Sequence, residues 1–429
     1  MEYTTLEKLD ERVSRLGFGC MRFPTTPDGA IDEPHAAAML KTAYDAGVNY
    51  FDTAYFYHNR TAEAFLGRAL KMFPRESFKL ATKLPVSLID SLEKAKEIYE
   101  GQFVSLDTPY FDFYLLHALD GERWDAVLRM GILDFLLEEQ KKGRIRHLGF
   151  SFHDDYAAFE RILTYRDWDF CQIQFNYMDV DVQAGMKGYE LAKSRGVPVV
   201  VMEPVKGGSL ATLSEEITAP LKAAHPDWSV ASWAMRWVAS LDNCRIILSG
   251  MSDEAQVADN LATFSGENRL SEADQQVIAQ VREAIRARVF VGCTACKYCM
   301  PCPFGVDIPR NFRMMNQFAM YSNERNLQGS WKGMEEKERA SACQRCGKCE
   351  KACMVVHYYD KIMAGKTAPA PESCPSPRRV GKTQHVGGTV RGDKGPRKDS
   401  RGGRPGGGRK GRGDARSDGG RGPRTRRRD

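Results

Sequence analysis

No stretch of this chain is apolar over the roughly 18 residues that a membrane-spanning helix requires, which argues against such a span. The opening Met1-Glu2-Tyr3-Thr4-Thr5-Leu6-Glu7 lacks the basic-then-apolar order of a secretory signal, so the expected address is the cytoplasm. In that setting a disulfide framework is the weaker reading of the 12 cysteines and metal ligation the stronger one. The first apolar run is not followed by a G-x-G-x-x-G turn, which counts against an open, doubly wound nucleotide-binding sheet. Negative charge is scarce at the C-terminal end: residues 375–429 hold 18 Lys and Arg against 5 Asp. The net charge of +6 is therefore a basic tail attached to a mildly acidic body. That tail also holds 15 of the 38 glycines and only Val380, Val386, Val390 and Ala415 as clearly apolar residues. Such a segment cannot bury enough surface to offset its ordering entropy and is expected to be disordered.

Hydrophobic residues make up 42% of the chain, enough for a sizeable core. Between residues 15 and 250, eight short apolar runs recur: 15–21, 48–53, 78–84, 111–117, 145–151, 170–176, 197–203 and 245–250. Amphipathic stretches at helical period separate them, among them 33–46, 62–72, 124–142, 181–194 and 228–239, with Gly47, Gly143 and Gly196 where helices should stop. Near-continuous apolar strands alternating with helices predict a parallel sheet, and eight such units in about 250 residues predict a (β/α)8 TIM barrel. The barrel is expected over 1–285. A small cysteine-rich domain is expected over 286–360 and a disordered Arg/Gly-rich tail over 361–429.

Chemistry in such barrels sits at the C-terminal ends of the strands. Reading those ends gives Asp52, Lys83, His117, Ser151, Gln172 with Asn176, and Glu203. One polar strand end is ordinary structure; polar residues at the ends of nearly every strand, gathered at one rim, are hard to explain as structure.

The segments around these positions resemble the aldo-keto reductase superfamily. Phe51-Asp52-Thr53-Ala54-Tyr55-Phe56-Tyr57 is similar to its D-T-A-x-x-Y, and Ala81-Thr82-Lys83 to its third-strand lysine. Tyr114-Leu115-Leu116-His117 and Arg144 through Ser151 look like its fourth and fifth strands. The resemblance implies a catalytic tetrad of Tyr57, Asp52, Lys83 and His117 acting on a small carbonyl or quinone-like substrate. The chemistry is coherent without the family: a phenol is a reluctant acid at neutral pH. A neighbouring ammonium favours the phenolate and is expected to lower its pKa. Asp52 would hold Lys83, and His117 would donate a hydrogen bond to the substrate oxygen.

The same resemblance implies NADP(H) or NAD(H) as the cofactor. Gly19, Ser151, Gln172 and Met202 match positions around the nicotinamide, and Gly207, Gly208 and Ser209 the loop around the pyrophosphate. Gly250, Gln256 and Asn260 match the adenosine-phosphate segment. Here Phe152 stands where an Asn often follows the Ser, and Met202 where an aromatic usually stacks. Gly250 and Gln256 replace a Lys and an Arg of many NADPH-specific members, which weakens cationic clamping of a 2′-phosphate and leaves both nucleotides open.

Eight cysteines fall in two runs, Cys293-x2-Cys296-x2-Cys299-x2-Cys302 and Cys343-x2-Cys346-x2-Cys349-x3-Cys353. Three cysteines at successive x2 spacing let one loop wrap three corners of a cubane, and the pattern is similar to bacterial two-cluster ferredoxins, whose fourth cysteine crosses to the other cluster. That likeness implies one [4Fe–4S] on Cys293, Cys296, Cys299 and Cys353, and a second on Cys343, Cys346, Cys349 and Cys302. Zinc is the alternative, though it leaves the third cysteine of each run unexplained. The runs depart from the ferredoxin pattern in the x2 before Cys302 and in Met354 where a proline is usual. Together these features are similar to bacterial aldo-keto reductases with a C-terminal two-cluster domain. They imply an oxidoreductase that exchanges electrons with a redox partner protein. A nucleotide-binding redox sensor with little turnover is the alternative. In the tail, Arg401-Gly402-Gly403-Arg404 and Gly411-Arg412-Gly413 suit contacts to polyanions such as RNA, and a shifted reading frame after Cys353 would give the same composition.

Overall fold

The computed structural model describes residues 1–293 and 295–353. A hairpin opens the chain, β1 (Tyr3–Leu6) antiparallel to β2 (Glu11–Ser14). Eight parallel strands follow: β3 (Leu16–Gly19), β4 (Tyr50–Asp52), β5 (Lys79–Leu84), β6 (Phe111–Leu119), β7 (Ile145–Phe152), β8 (Phe170–Gln174), β9 (Val199–Met202) and β10 (Cys244–Ser249). They close into a barrel, β10 pairing with β3 from Ile247↔Leu16 to Ser249↔Phe18. The (β/α)8 expectation holds, and every barrel strand lies within an expected run or extends one.

The connecting helices are α1 (Glu33–Asp45), α2 (Ala62–Ala69), α3 (Leu92–Leu106), α4 (Gly121–Arg129), α5 (Ile132–Lys141), α6 (Tyr156–Tyr165), α7 (Gly185–Ser194), α8 (Glu215–Ala224), α9 (Val230–Ala239), α10 (Glu254–Thr263) and α11 (Glu272–Ala287). Side chains cap the orphan N–H groups at several starts: Asp120 accepts from Arg123 N at 2.7 Å and Asp253 from Gln256 N at 2.9 Å. The single helix expected over 124–142 is two, because Gly131 adopts φ 69° between α4 and α5. Left-handed Gly47, Gly143 and Gly196 end their helices as expected. A C-terminal module adds α12 (Ile308–Tyr321), α13 (Glu324–Lys332) and α14 (Lys348–Ala352).

The barrel interior is filled by Tyr50, Ala81, Phe113, Leu115, Phe170, Val200, Ile246 and Leu248, with Leu6 and Val13 of the hairpin in the same cluster. Phe113 meets Tyr50 and Phe170 edge-on at centroid separations of 5.0 and 5.1 Å. Each such side chain contributes roughly 1.5–3 kcal/mol of burial. Gly149 is required on β7: a Cβ there would stand 2.6 Å from the carbonyl oxygen of Phe170. A second layer of apolar side chains packs the strands against the helices. Among the described residues, no helix is long and apolar enough to cross a membrane. The expectations for Met354 and for the tail concern residues outside those described.

Away from the strand C-termini, Asp112 near the start of β6 is fully buried between Arg75 Nη2 at 2.6 Å and Arg146 Nη1 at 3.0 Å, and also accepts from Leu80 N at 3.0 Å. Conserving the barrel is its task, since it lies at the face remote from chemistry. Asp112→Ala leaves the Leu80 amide without its acceptor and removes the buried anion that Arg75 and Arg146 share, and is expected to lower the unfolding free energy by about 3 kcal/mol, read by urea denaturation.

Candidate active site

Three neighbouring strands and one loop bring the tetrad together. Asp52 ends β4, Lys83 lies near the end of β5, and His117 lies on β6. Tyr57 heads a tight turn, 57–60, in which His58, Asn59 and Arg60 all hold positive φ (48°, 54° and 73°). Three such residues in sequence are costly and persist only where surroundings fix them. One such fixing contact is the Phe23 N–H donated to His58 Nε2 at 3.2 Å. His117 was expected at the end of its strand; instead β6 runs on to Leu119. A register shift between Leu116 and Leu119, with Ala118 at φ 52°, turns the chain beside His117.

Lys83 is 0% exposed, and its Nζ donates to Asp52 Oδ1 at 2.7 Å, to the Thr53 carbonyl at 2.7 Å and to Tyr57 OH at 3.3 Å. Burial pulls the Lys83 pKa down, but Asp52 and Tyr57 outweigh it, so the ammonium form is held. Tyr57 departs from expectation. Burial pushes its phenol above the usual value, and the opposing pull of Lys83 does not overcome it. The His117 ring stands edge-on to Tyr57 with centroids 6.2 Å apart. Burial, followed by repulsion from Lys83, pushes the His117 pKa down to about 3, so the ring is neutral and keeps one N–H to donate. His117 Nδ1 and Asp52 Oδ2 are buried without a protein partner.

Sequence reasoning missed the support behind this group. Glu63 Oε1 accepts from Thr82 Oγ1 at 2.5 Å and from Gln102 Nε2 at 2.6 Å, while Tyr114 OH donates to Gln102 Oε1 at 2.6 Å. Gln102 also donates to the Lys83 carbonyl at 3.1 Å, which fixes the backbone that carries the ammonium. A Glu and a Gln on amphipathic helices look like surface residues until the packing is known.

The candidate nucleotide residues fall in two groups. Near the tetrad, Gly19 pairs with Asp52 across β3 and β4, and a Cβ on it would stand 3.2 Å from the Ser249 carbonyl. Ser151 and Gln172 are cross-strand partners on β7 and β8. Ser151 Oγ accepts from Ala118 N at 2.7 Å, and Gln172 Nε2 reaches Met202 Sδ at 3.5 Å. Gln172 Oε1 is buried without a partner, as an acceptor awaiting an amide N–H would be. This donor set fits a nicotinamide carboxamide. The second group lies after β9 and β10. Gly207 and Gly208 have φ 60° and 91°, and Ser209 is buried beside them. Asn260 donates to Ser249 Oγ at 2.8 Å, whereas the exposed Gln256 spends its carboxamide on Ser252 N and Asp253. Arg22, a residue that sequence reasoning passed over, bridges these loops: its Nη2 is 3.5 Å from the Cβ position of Gly207 and its Cδ 3.1 Å from that of Gly250. No motif marks it, because it follows β3 rather than the loops it covers.

In the C-terminal module, no disulfide joins the eight cysteines. Ala295 N and Arg345 N, from left-handed residues at φ 56° and 53°, each donate to the sulfur of the cysteine two residues before, Cys293 and Cys343, at 3.4 Å. Burial raises the Cys299 thiol, and Cys293, Cys353 and Cys296 push it the same way, so Cys353 lies within electrostatic reach of the first run. Cys349, in α14, is raised by burial and by neighbours that include Cys343. Cys346 is exposed, and Cys302 is half-buried with its carbonyl accepting from Gly305 N at 3.0 Å. Among the described residues no three His, Cys, Asp or Glu gather tightly enough for one metal ion. Free cysteine sulfurs with backbone N–H groups turned onto two of them fit a cluster, whose corners stand further apart than the ligands of a single ion.

Because His117 is neutral in the fold down to about pH 3 but titrates near 6.5 when unfolded, the unfolded state binds the extra proton between those values. Its contribution to stability is therefore whole above about pH 6.5 and falls by roughly 1.4 kcal/mol per pH unit below it. His117→Gln is expected to flatten that part of the stability profile, measured by urea titrations from pH 7 to pH 4.

The aldo/keto reductase family model matches residues 15–284, and a 4Fe-4S dicluster domain model matches residues 292–357. The chain is similar to the NADH-specific methylglyoxal reductase of Escherichia coli (strain K12), 23% identical over 335 residues, 66% of this chain and 99% of that protein. It is 31% identical over 147 residues to the probable aldo-keto reductase 1 of Glycine max, 32% of this chain and only 41% of the soybean protein. Among solved structures, the holo form of an aldo-keto reductase from Bacillus halodurans superposes with a TM-score of 0.55 at 27% identity, over 66% of this chain and 96% of that one. An aldo/keto reductase from Klebsiella pneumoniae, solved with NADP and acetate, shares the fold with a TM-score of 0.53 at 19% identity, over 66% and 96% of the two chains. The barrel, its closed strand order and these matches agree: the chain belongs to the aldo/keto reductase family and is an oxidoreductase of that type carrying a 4Fe-4S dicluster domain.

Proposed function

We propose that the barrel reduces a small carbonyl or quinone-like substrate with NAD(P)H, using Tyr57 as proton donor. The observation that carries this reading is the fully buried Lys83 Nζ, 2.7 Å from Asp52 and 3.3 Å from Tyr57 OH. When bound, the reduced nicotinamide supplies a hydride to the substrate carbon. Tyr57 gives its phenolic proton to the substrate oxygen, and the ammonium of Lys83 stabilises the phenolate left behind. The high pKa that burial imposes keeps the phenol protonated until substrate arrives. His117, neutral, donates to the same oxygen and fixes its direction, and Asp52 holds Lys83 in place.

Ser151 and Gln172 bind the carboxamide of the nicotinamide, Gly19 and Met202 border its ring, and Gly207, Gly208 and Ser209 wrap the diphosphate. Asn260, Gln256 and Gly250 border the adenosine end. Neither Gly250 nor Gln256 is cationic, so NADH serves alongside NADPH, and the NADH-specific name of the Escherichia coli relative supports that reading. The domain limits follow the same logic, with the barrel over 1–285 and the cluster domain over 286–360. In that domain Cys293, Cys296, Cys299 and Cys353 hold one [4Fe–4S], and Cys343, Cys346, Cys349 and Cys302 the other. The clusters pass single electrons to or from a redox partner protein in the cytoplasm.

Tyr57→Phe is expected to cut kcat for carbonyl reduction by at least about a hundredfold, the usual worth of a general acid, with nucleotide affinity unchanged in fluorescence titration. Wild-type turnover in that variant would remove the proton-donor role. Anaerobically reconstituted protein is expected to hold about eight iron and eight acid-labile sulfide per chain. Cys353→Ala should empty the cluster of Cys293, Cys296 and Cys299 in preference to that of its neighbours Cys343, Cys346 and Cys349. Zinc without sulfide would end the electron-transfer reading.

A further inference from the structure

The loop after β9 does not open to solvent alone. It and the α12–α13 arm enclose a cavity of about 270 Å3, lined by Arg22, Lys206, Gly207 and Ser209 on the barrel side and by Tyr321 and Asn326 on the arm side. The arm is seated firmly. Tyr321, 4% exposed, belongs to the same apolar cluster as Leu210 and Leu213, and its carbonyl accepts from Thr212 Oγ1 at 3.4 Å. Asn326 Nδ2 donates to Ser209 Oγ at 3.2 Å. A hydroxyl that accepts one hydrogen bond still has its own proton to give, and Asn326 keeps a second N–H. Both line the cavity, and each has a donor to offer an occupant that carries acceptors.

Charge points the same way. Lys206 is already neutralised, with both oxygens of Asp179 at 2.6 Å from its Nζ. The Arg22 guanidinium has no ion pair among the described residues, and its stem lies over Gly250, where an added Cβ would stand a tight 3.1 Å from its Cγ and Cδ. Glycine at 250 thus makes the room that brings a cation to the edge of the Gly207–Ser209 loop. Glu203 also lines the cavity, so attraction for an anion rests on Arg22 rather than on net charge.

We propose that the α12–α13 arm of the C-terminal module completes the nucleotide site: the cavity takes the cofactor's diphosphate, Arg22 is its cationic ligand, and Asn326 orients the Ser209 hydroxyl toward it. This rests on the nucleotide reading above and adds to it residues from outside the barrel loops. It makes the cluster-bearing module part of the cofactor's cradle.

The test uses the full, cluster-loaded chain and reads binding rather than turnover. NADH, NADPH, ADP and adenosine are titrated against wild type, Arg22→Gln, Asn326→Ala and Asn326→Asp, with iron content measured on each. Arg22→Gln should weaken both dinucleotides and ADP by roughly ten- to a hundredfold, the worth of a charge-assisted contact, and leave adenosine unchanged. Asn326→Ala should cost a few-fold for ADP and Asn326→Asp more, because its carboxylate repels the diphosphate. Unchanged affinities in all three variants would overturn the proposal while leaving the reductase reading intact. A loss confined to NADPH in Arg22→Gln would assign Arg22 to the 2′-phosphate and overturn the diphosphate assignment. Iron lost from both Asn326 variants, with ADP affinity kept, would make Asn326 a structural tie of the module and overturn its place in the site. A wild-type protein that binds no dinucleotide would overturn the reductase reading itself and the inference with it.

Discussion

Burying an ammonium completely costs several kcal/mol unless charge and polar groups meet it on every side, and at Lys83 they do. Asp52, the Thr53 carbonyl and Tyr57 take its three donors at 2.7, 2.7 and 3.3 Å, so the lysine is saturated and immobile. Much of the rim follows from that saturation. Asp52 must end β4 where β5 can deliver Lys83, which the pairing of Asp52 with Ala81 allows. The left-handed turn after Tyr57 holds the phenol over the lysine, and the Glu63–Gln102–Tyr114 network fixes the strand from behind. The same ammonium helps to keep His117 neutral. One buried charge thereby reinforces the burial that keeps a second group neutral and fixes the position of a third.

The C-terminal module meets the barrel at its chemical end. Tyr321 is buried in an apolar cluster that also contains Leu210 and Leu213, so the module's helices abut the loop after β9. Attaching a second redox unit at the strand C-termini puts it where the cofactor and substrate are handled, whereas attachment at the opposite face would put the barrel's length between them.

The barrel was legible because its signal is physical and repetitive: apolar strands buried on both faces alternate with amphipathic helices, and left-handed Gly47, Gly143 and Gly196 mark where some of those helices end. The tetrad was legible because ionisable residues at the ends of apolar strands have no structural reason to gather there. What escaped was local or emergent. Gly131 breaks one helix into two through a single left-handed residue that an amphipathic pattern does not register. The bulge beside His117 depends on register with β7, which no single strand encodes. The phenol of Tyr57 was expected to be lowered by Lys83, yet burial outweighs that pull, and burial is a property of the packed rim. Arg22 and Asn326 lie far in sequence from the loop they approach, and α12 and α13 carry no motif. Glu63 and Gln102 read as surface polar residues on helices.

That Lys83 acts through the Tyr57 phenol, rather than as an independent charge, is tested most directly by a double-mutant cycle on single-turnover carbonyl reduction with saturating nucleotide, using Lys83→Met, Tyr57→Phe and the pair. Groups that act as one unit are strongly non-additive. The double variant should then be no slower than Tyr57→Phe alone, because the lysine has no phenolate left to stabilise. Rate losses that multiply in the double variant would show that Lys83 serves the reaction without Tyr57 and would contradict the coupling from which the site has been built.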